Sequence, residues 1–410
     1  MAEKKPRKNP ADKPAAREWI TVTLRASTGG VWKIRSSPQL QSLAIQLSYV
    51  ASNRRRWAAT DKARRELYET SEKHLIGLGI SRDQVREMAE AEIVEVSIPW
   101  KDERIGWEAR ILPWEFLLSS ATKIYRQGRK MLVTRHLDQG GKFTRTDATS
   151  HTPLLVESAP PPLDREYTFG YERKLVQAHL GLERLDAVQN PTRQQLRELA
   201  LSQKPQIIHI AGIDAHQGWR LLQQEDPTLL ANTEKVRDGL FLTSDEGAPE
   251  IVRAEELAQT LCPDPLSVPA LVVCNFFNSA ARTAALIVAH GAGAAIGFQD
   301  DIDAALAENF FATFYSLWRE NGGDVLRSIQ DTWAILATSG SKMRGTGVVL
   351  WSGASLLRTA RPARRARKTT EKPLEKTAPT ISILQTARNQ PVSGPDALAS
   401  LQTEIDVNPT

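Results

Sequence analysis

Among the 410 residues of this chain are two cysteines and seven histidines, the side chains best suited to nucleophilic chemistry, and their neighbours decide what they can do. Cys274 sits in the apolar run Leu271-Val272-Val273-Cys274-Asn275, and His209 in Ile207-Ile208-His209-Ile210-Ala211. His216 follows shortly after, in Gly212-Ile213-Asp214-Ala215-His216-Gln217-Gly218. A thiol activated by an imidazole attacks carbonyl carbon, so a Cys/His pair here spells acyl transfer, with Cys274 served by His216 or His209. Each residue also has a plainer reading. A reactive thiol needs exposure and a positive neighbour, whereas a cysteine inside Val-Val-Cys reads as a small buried hydrophobe. His209 reads as a core histidine with a structural hydrogen bond, and His216 as a solvated loop histidine. His290 closes a helical stretch, where a partly charged imidazole faces exposed carbonyls. Asp300, Asp301 and Asp303 cluster past a strand end. With Asp214 the first two are candidate binding residues for a basic peptide, or the cluster holds Ca²⁺, or it forms the acidic cap of a helix from Ala304. No phosphate-cradling Gly-x-x-x-x-Gly-Lys-Ser/Thr occurs, and the glycines at 291, 293 and 297 depart from Gly-x-Gly-x-x-Gly. With no His-Glu-x-x-His and no Cys-x-x-Cys either, neither a metal nor a cofactor is expected.

The elements that must position these residues alternate. Strand-like runs fall at Leu154–Glu157, Leu182–Ala187, Gln206–Ala211, Leu240–Thr243, Ala270–Asn275, Ala294–Phe298 and Val348–Trp351. Helical periodicity separates most of them, at Arg165–Leu180, Thr192–Leu201, Arg253–Gln259, Ala280–His290, Ala304–Asn321 and Asp324–Ala337. Continuous apolar strands between amphipathic helices predict an α/β fold, a mostly parallel sheet with helices on both faces. Functional residues of such sheets sit at the carboxyl ends of strands, which directs attention to 212–218 and 276–280. Ahead of this core, residues 18–136 predict a smaller α+β region. It has strands at Trp19–Leu24, Val31–Ile34, Ile93–Ile98, Trp107–Ile111 and Met131–Thr134, and helices at Gln39–Ala51 and Asp61–Leu78. Trp100, Trp107 and Trp114 read as a core cluster within it. Residues 137–150 read as a polar connector, and 151–358 as the core itself.

With those strand ends in place, the sequence resembles the CHAT family, caspase-like cysteine peptidases related to caspases and separase. In that family one strand ends in His-x-x-Gly-His-Gly and a later one in Cys followed by Asn/Glu-Ser/Thr, the second His and the Cys forming the dyad. Further likenesses run in order along the chain. Leu112-Pro113-Trp114-Glu115 resembles the Leu-Pro-Trp-Glu signature near the family's domain start, and Pro191-Thr192-Arg193 the approach to the His strand. Asp238-Gly239-Leu240-Phe241-Leu242 and Ala254-Glu255-Glu256-Leu257 resemble the segment between the dyad members. Gly291–Phe298 with Asp300, then Phe311–Tyr315, resemble the strand and helix that follow. The resemblance spans about 110–357 and implies a caspase-like fold. It also implies a departure: aligned on His209-Ile210-Ala211-Gly212, the dyad His falls on Ile213, and aligned on Asn278-Ser279-Ala280, the dyad Cys falls on Phe277. Neither side chain takes a proton or attacks a carbonyl. The sequence therefore implies a non-catalytic member, and Ile213 and Phe277 are expected to pack together and fill the cleft.

Charge narrows the partners. Residues 1–17 hold six Lys/Arg against two acids and 358–410 hold nine against five, which leaves 38 against 41 for 18–357. The net +5 thus belongs to basic tails, at 1–17 and 359–410, whose composition predicts disorder. A nucleic-acid binder carries its excess charge on the folded surface, so nucleic acid is expected only through those tails, chiefly Arg361, Arg364, Arg365, Arg367 and Lys368. Within the second tail, Ile381–Leu384 is an apolar patch of the kind that docks. No apolar stretch reaches the roughly 18 residues of a membrane span, and two cysteines exclude a disulfide scaffold, so a cytoplasmic protein is expected. Three functions follow: a scaffold, regulator or decoy in a bacterial conflict, immunity or regulated-death system, working with an active CHAT peptidase or a repeat protein; a cysteine endopeptidase using Cys274; or a tail-driven binding module.

Overall fold

Runs that are apolar on both sides have to be covered on both sides, and the most continuous of them form the centre of one sheet. The computed structural model describes residues 18–57, 61–140, 153–165, 167, 169–225, 238–299, 304–338 and 347–357. Its first part runs β1 (Thr21–Ala26), β2 (Val31–Arg35), α1 (Pro38–Trp57), α2 (Asp61–Gly77), α3 (Arg82–Met88), β3 (Ile93–Pro99), α4 (Trp107–Ile111), α5 (Trp114–Ala121) and β4 (Leu132–Asp138). Then follow β5 (Pro153–Ser158), α6 (Gly170–Leu180), β6 (Ala187–Gln189), α7 (Arg193–Gln203), β7 (Ile207–Gly212), α8 (Ala215–Glu225), β8 (Gly239–Thr243) and β9 (Pro249–Arg253). The last part is α9 (Ala254–Leu261), β10 (Leu271–Asn275), α10 (Thr283–Ala289), β11 (Ala294–Phe298), α11 (Ala304–Glu320), α12 (Val325–Thr338) and β12 (Val348–Ser352). Both basic tails, with the Ile381–Leu384 patch, lie outside the described residues.

Ten strands make the main sheet in the order β2-β1-β3-β4-β12-β11-β10-β7-β5-β6. Six of its nine pairings are parallel; the exceptions are β1 with β2, β1 with β3, and β11 with β12. Helices α6, α11 and α12 bury their apolar residues against one face, and α1, α2, α5, α7, α9 and α10 against the other. The molecule is thus a mixed α/β fold, a mostly parallel sheet with helices on both faces, consistent with a caspase-like architecture. Strands from before and after residue 150 share this sheet, with β12 inserted between β4 and β11.

Local departures from the sequence reading have identifiable causes. Trp107–Ile111 is a helix, not a strand. Gly106 turns the chain left-handed at φ 70°, and a Cβ there would strike Ile20 at 2.4 Å. The polar residues that mimic strand alternation are buried with partners: Ser36 Oγ donates to Glu108, and Arg110 donates to the Ile105 carbonyl at 2.8 Å and lies over Trp100. Trp114 is wholly buried, with Trp100 packed against the same core. The run Leu182–Ala187 yields only the three-residue β6, and β4 extends to Asp138, into the expected connector. Strand β8 leaves the main sheet to pair with β9.

Candidate functional site

Strands β7 and β10 lie side by side and parallel, with Asn275 opposite Ala211, so the two segments singled out by sequence emerge together. Beyond β7 the backbone is stitched on both sides. Ile213 N–H donates to the Ser158 carbonyl at 3.2 Å, and Phe241 N–H donates to the Ile213 carbonyl at 3.0 Å. The Ile213 side chain is fully buried with Ala159, Leu163 and Phe241, and Tyr167, Phe169, Leu221 and Leu222 close the cluster. Gly218 of α8 lies against it because a Cβ there would sit 2.4 Å from the Phe241 ring.

Phe277 does not join this cluster. It is half-buried in the loop after β10 and belongs to none of the apolar clusters, whereas Phe276 is buried in the core beneath. The expected Ile213–Phe277 contact is replaced by Ile213–Phe241, because β8 bridges Asp214 through Leu240 and carries its aromatic residue over the end of β7. The position is filled, though by a different ring.

The loop carrying Phe277 is fastened. Ser279 is fully buried; its Oγ donates to the Cys274 carbonyl at 2.9 Å and accepts from Phe298 N–H at 2.9 Å. Trp351 Nε1 donates to the Ala280 carbonyl at 2.7 Å, and the Arg135 guanidinium lies over the Trp351 ring. Glu115 holds Arg135 through two bonds, from Nε at 2.8 Å and from Nη2 at 2.5 Å. The acid of Leu-Pro-Trp-Glu thereby supports the loop through Arg135 and Trp351, along the face of the sheet that α5 covers.

Cys274 and His209 lie on opposite faces. Cys274 pairs with Ile210 in register and His209 with Val273, and neighbours in register share a face. Cys274 is wholly buried and desolvation pushes its thiol far above the ordinary value; Cys262 is likewise buried, its thiol pushed up to about 12. His209 has both nitrogens engaged, Nδ1 with the Tyr315 hydroxyl and Nε2 with Glu172, each at 2.6 Å. Asn275 Nδ2 donates to the same Glu172 oxygen at 2.5 Å. This buried relay ties α6 and α11 to both strand ends. Sequence reasoning foresaw a structural bond for His209 but not Glu172, Tyr315 or Asn275, which lie far apart along the chain.

His216 is in the first turn of α8 rather than in a loop. Its Nε2 meets Asp238 at 2.9 Å, and that carboxylate raises the imidazole pKa above its ordinary value. Asp214 caps the same helix: one oxygen accepts from His216 N–H at 3.0 Å and Gln217 N–H at 3.3 Å, while Oδ2 has no partner. Burial raises its carboxyl to about 6 against the pull of those bonds. His290 caps the end of α10, and burial holds its pKa below the usual value, so the partly charged imidazole read from the sequence is replaced by one biased toward neutral. Asp300, Asp301 and Asp303 lie outside the described residues.

The geometry does not bring Cys274 to His209 or to His216. A thiol nucleophile needs exposure and an imidazole within roughly 3–4 Å, and the one thiol near the strand ends points into the core. Among the described residues no group of three His, Cys, Asp or Glu is placed to hold a metal ion, and no helix is long and apolar enough to cross a membrane. Compared with protein-family models and with curated proteins, the chain matches none.

Proposed function

We propose that this chain is a degenerate CHAT-like protein that works through a protein partner, as scaffold, regulator or decoy, and not by hydrolysis. The observation that carries the reading is Ile213. At the position where the family's pattern puts the imidazole, this side chain is fully buried in an apolar cluster and its backbone is held from both neighbouring strands. Phe277, at the thiol's position, adds a second group without nucleophilic chemistry, on a loop that Ser279, Trp351 and Arg135 hold still. A fold of the expected class and the ordered motifs from Leu112 to Tyr315 support the family assignment. By the family's associations the partner is an active CHAT peptidase or a repeat protein of a bacterial immunity or regulated-death system. The test has two arms on the full chain. Incubation with a peptide library should yield no cleavage, and co-purification with an intact CHAT peptidase or repeat protein encoded beside it should yield a stable complex. Specific cleavage, lost on Cys274→Ala, would overturn the proposal and favour the endopeptidase reading.

A further inference from the structure

Strand β2 closes one end of the ten-stranded sheet, with no strand beyond it among the described residues; the other end is the three-residue β6. Ser36 N–H donates to the Ile20 carbonyl and Ala26 N–H to the Gly30 carbonyl, each at 2.8 Å. The even-numbered positions of β2 therefore aim their backbone groups at β1, and Val31, Lys33 and Arg35 aim their N–H and C=O groups outward. Bare edges are ordinarily blunted by proline, by a bulge or by a covering element. β2 contains no proline, and its register with β1 runs unbroken from Val31 to Arg35.

The side chains of the same three residues stand on the open face of the sheet. Trp32 and Ile34 are buried in the core, while Val31, Lys33 and Arg35 are exposed, Val31 by 57%. Helices α6, α11 and α12 cluster on this face with Ile93 of β3 and Leu132 of β4 but with no residue of β1 or β2. Lys33 and Arg35 make no ion pair or side-chain hydrogen bond among the described residues. Glu95, on the same face, is already engaged: it is fully buried, lies 3.6 Å from Arg25, and accepts from Ser355 Oγ at 2.8 Å and Leu356 N–H at 2.7 Å.

Charge decides what such an edge accepts. In an antiparallel pairing outward positions meet outward positions, so a second copy of β2 paired about its centre would set Lys33 against Lys33, and like charges directly opposite are destabilising. Residues 1–17 and 358–410 each carry a net +4, which weighs against either tail. We propose that β2 is a docking edge for an extended acidic segment of a partner protein. The segment adds antiparallel as an eleventh strand, with alternate carboxylates against Lys33 and Arg35 and an apolar residue against Val31. Ile213 and Phe277 play no part in it, so the edge and the strand-end reading stand or fall separately.

The test uses the full chain and a fluorescein-labelled peptide, Thr-Glu-Thr-Glu-Thr-Val-Thr with blocked ends, followed by anisotropy. This peptide should bind saturably below about 1 mM, whereas its counterpart with Lys for Glu should not. N-methylation of both Glu and of Val keeps every charge but removes the N–H groups aimed at β2, and should weaken binding by about tenfold or more. Lys33→Glu with Arg35→Glu, at two exposed positions, should keep the wild-type Tm, lose the acidic peptide by about tenfold or more, and gain the Lys peptide. A wild type with no saturable binding overturns the proposal. So does a charge-reversed variant that binds like wild type, or an N-methylated peptide that binds equally well, since the attraction would then be charge alone. Binding by Glu404→Lys with Asp406→Lys but not by wild type would give the edge to the chain's own acidic end, and a wild-type dimer abolished by Val31→Pro would give it to a second copy; either result overturns a foreign strand.

Discussion

Replacing Asp214 with asparagine should stabilise the protein at neutral pH and leave it nearly unchanged in acid. Asp214 is 2% exposed, and burial raises its carboxyl from 3.8 to about 6. Because the folded-state value lies above the unfolded one, the folded protein holds this proton more tightly. The group's contribution to stability is therefore fully present below about pH 4, is lost as pH rises toward 6, and stays lost above that. Two pH units at about 1.4 kcal/mol each put the penalty at about 3 kcal/mol at pH 7.5. Asparagine keeps an oxygen for the His216 and Gln217 N–H groups and is as good an N-cap, so the substitution removes the buried charge without uncapping α8. Urea unfolding followed by tryptophan fluorescence at pH 4, 5, 6 and 7.5 reads the difference between variant and wild type. It should grow from near zero to about 3 kcal/mol across that series. His216 also titrates above its ordinary value, chiefly through its bond to Asp238, which both proteins keep; the smaller part that comes from the Asp214 charge is lost in the variant, so the imidazole of the variant should titrate somewhat lower than that of wild type. A difference that stays flat with pH, or a variant less stable at pH 7.5, would refute the reasoning and show Asp214 to be compensated by a charge or partner not accounted for.

Other outcomes follow from the same contacts. Glu115→Gln strips the fully buried Arg135 of its carboxylate and should cost about 3–5 kcal/mol, while Glu115→Met with Arg135→Met should recover most of it, both read from urea midpoints at constant m. His209→Leu strands the Tyr315 hydroxyl and Glu172 and should cost about 2–4 kcal/mol by the same measurement, against about 1 for Glu172→Gln, which keeps an acceptor for Asn275. Restoring the dyad residues with Ile213→His and Phe277→Cys should cost about 3 kcal/mol, nearly all from position 213, where an imidazole would replace an aliphatic group against Phe241; peptide hydrolysis should remain at background. Substantial hydrolysis by that double variant would show that the pocket walls still fit a substrate.

The parts of the fold that sequence made legible are those whose burial is symmetrical. Ile207–Gly212, Leu271–Asn275 and Ala294–Phe298 are apolar but for His209 and Asn275 because helices cover both faces, and no tertiary knowledge is needed to see that. Trp107–Ile111 misleads because its alternation is real, yet Glu108 and Arg110 are buried with partners contributed from elsewhere in the chain. Helix α8 is hidden by Gly218, a poor helix former that is present because Phe241 leaves no room for a side chain. The candidate site divides in the same way. The loss of imidazole and thiol at Ile213 and Phe277 is legible from alignment on local motifs. The partner of Ile213 is not, since Phe241 arrives on a separate hairpin 28 positions further on. Nor does any local pattern join Glu172 to His209, or Glu115 to Arg135 and the loop after β10; such links are set by the order of strands in the sheet.

Covalent labelling of Cys274 tests the non-catalytic reading most directly. The full chain is incubated at pH 7.5 with a peptidyl electrophile that reacts only with an activated thiol, and the adduct is located by intact mass and peptide mapping. Because Cys274 is wholly buried on the face opposite His209, with its thiol held protonated by desolvation, the protein should remain unlabelled while folded. After denaturation an ordinary alkylating agent should modify both Cys262 and Cys274. Stoichiometric labelling of Cys274 in the folded protein, lost on His209→Ala or His216→Ala, would contradict the account.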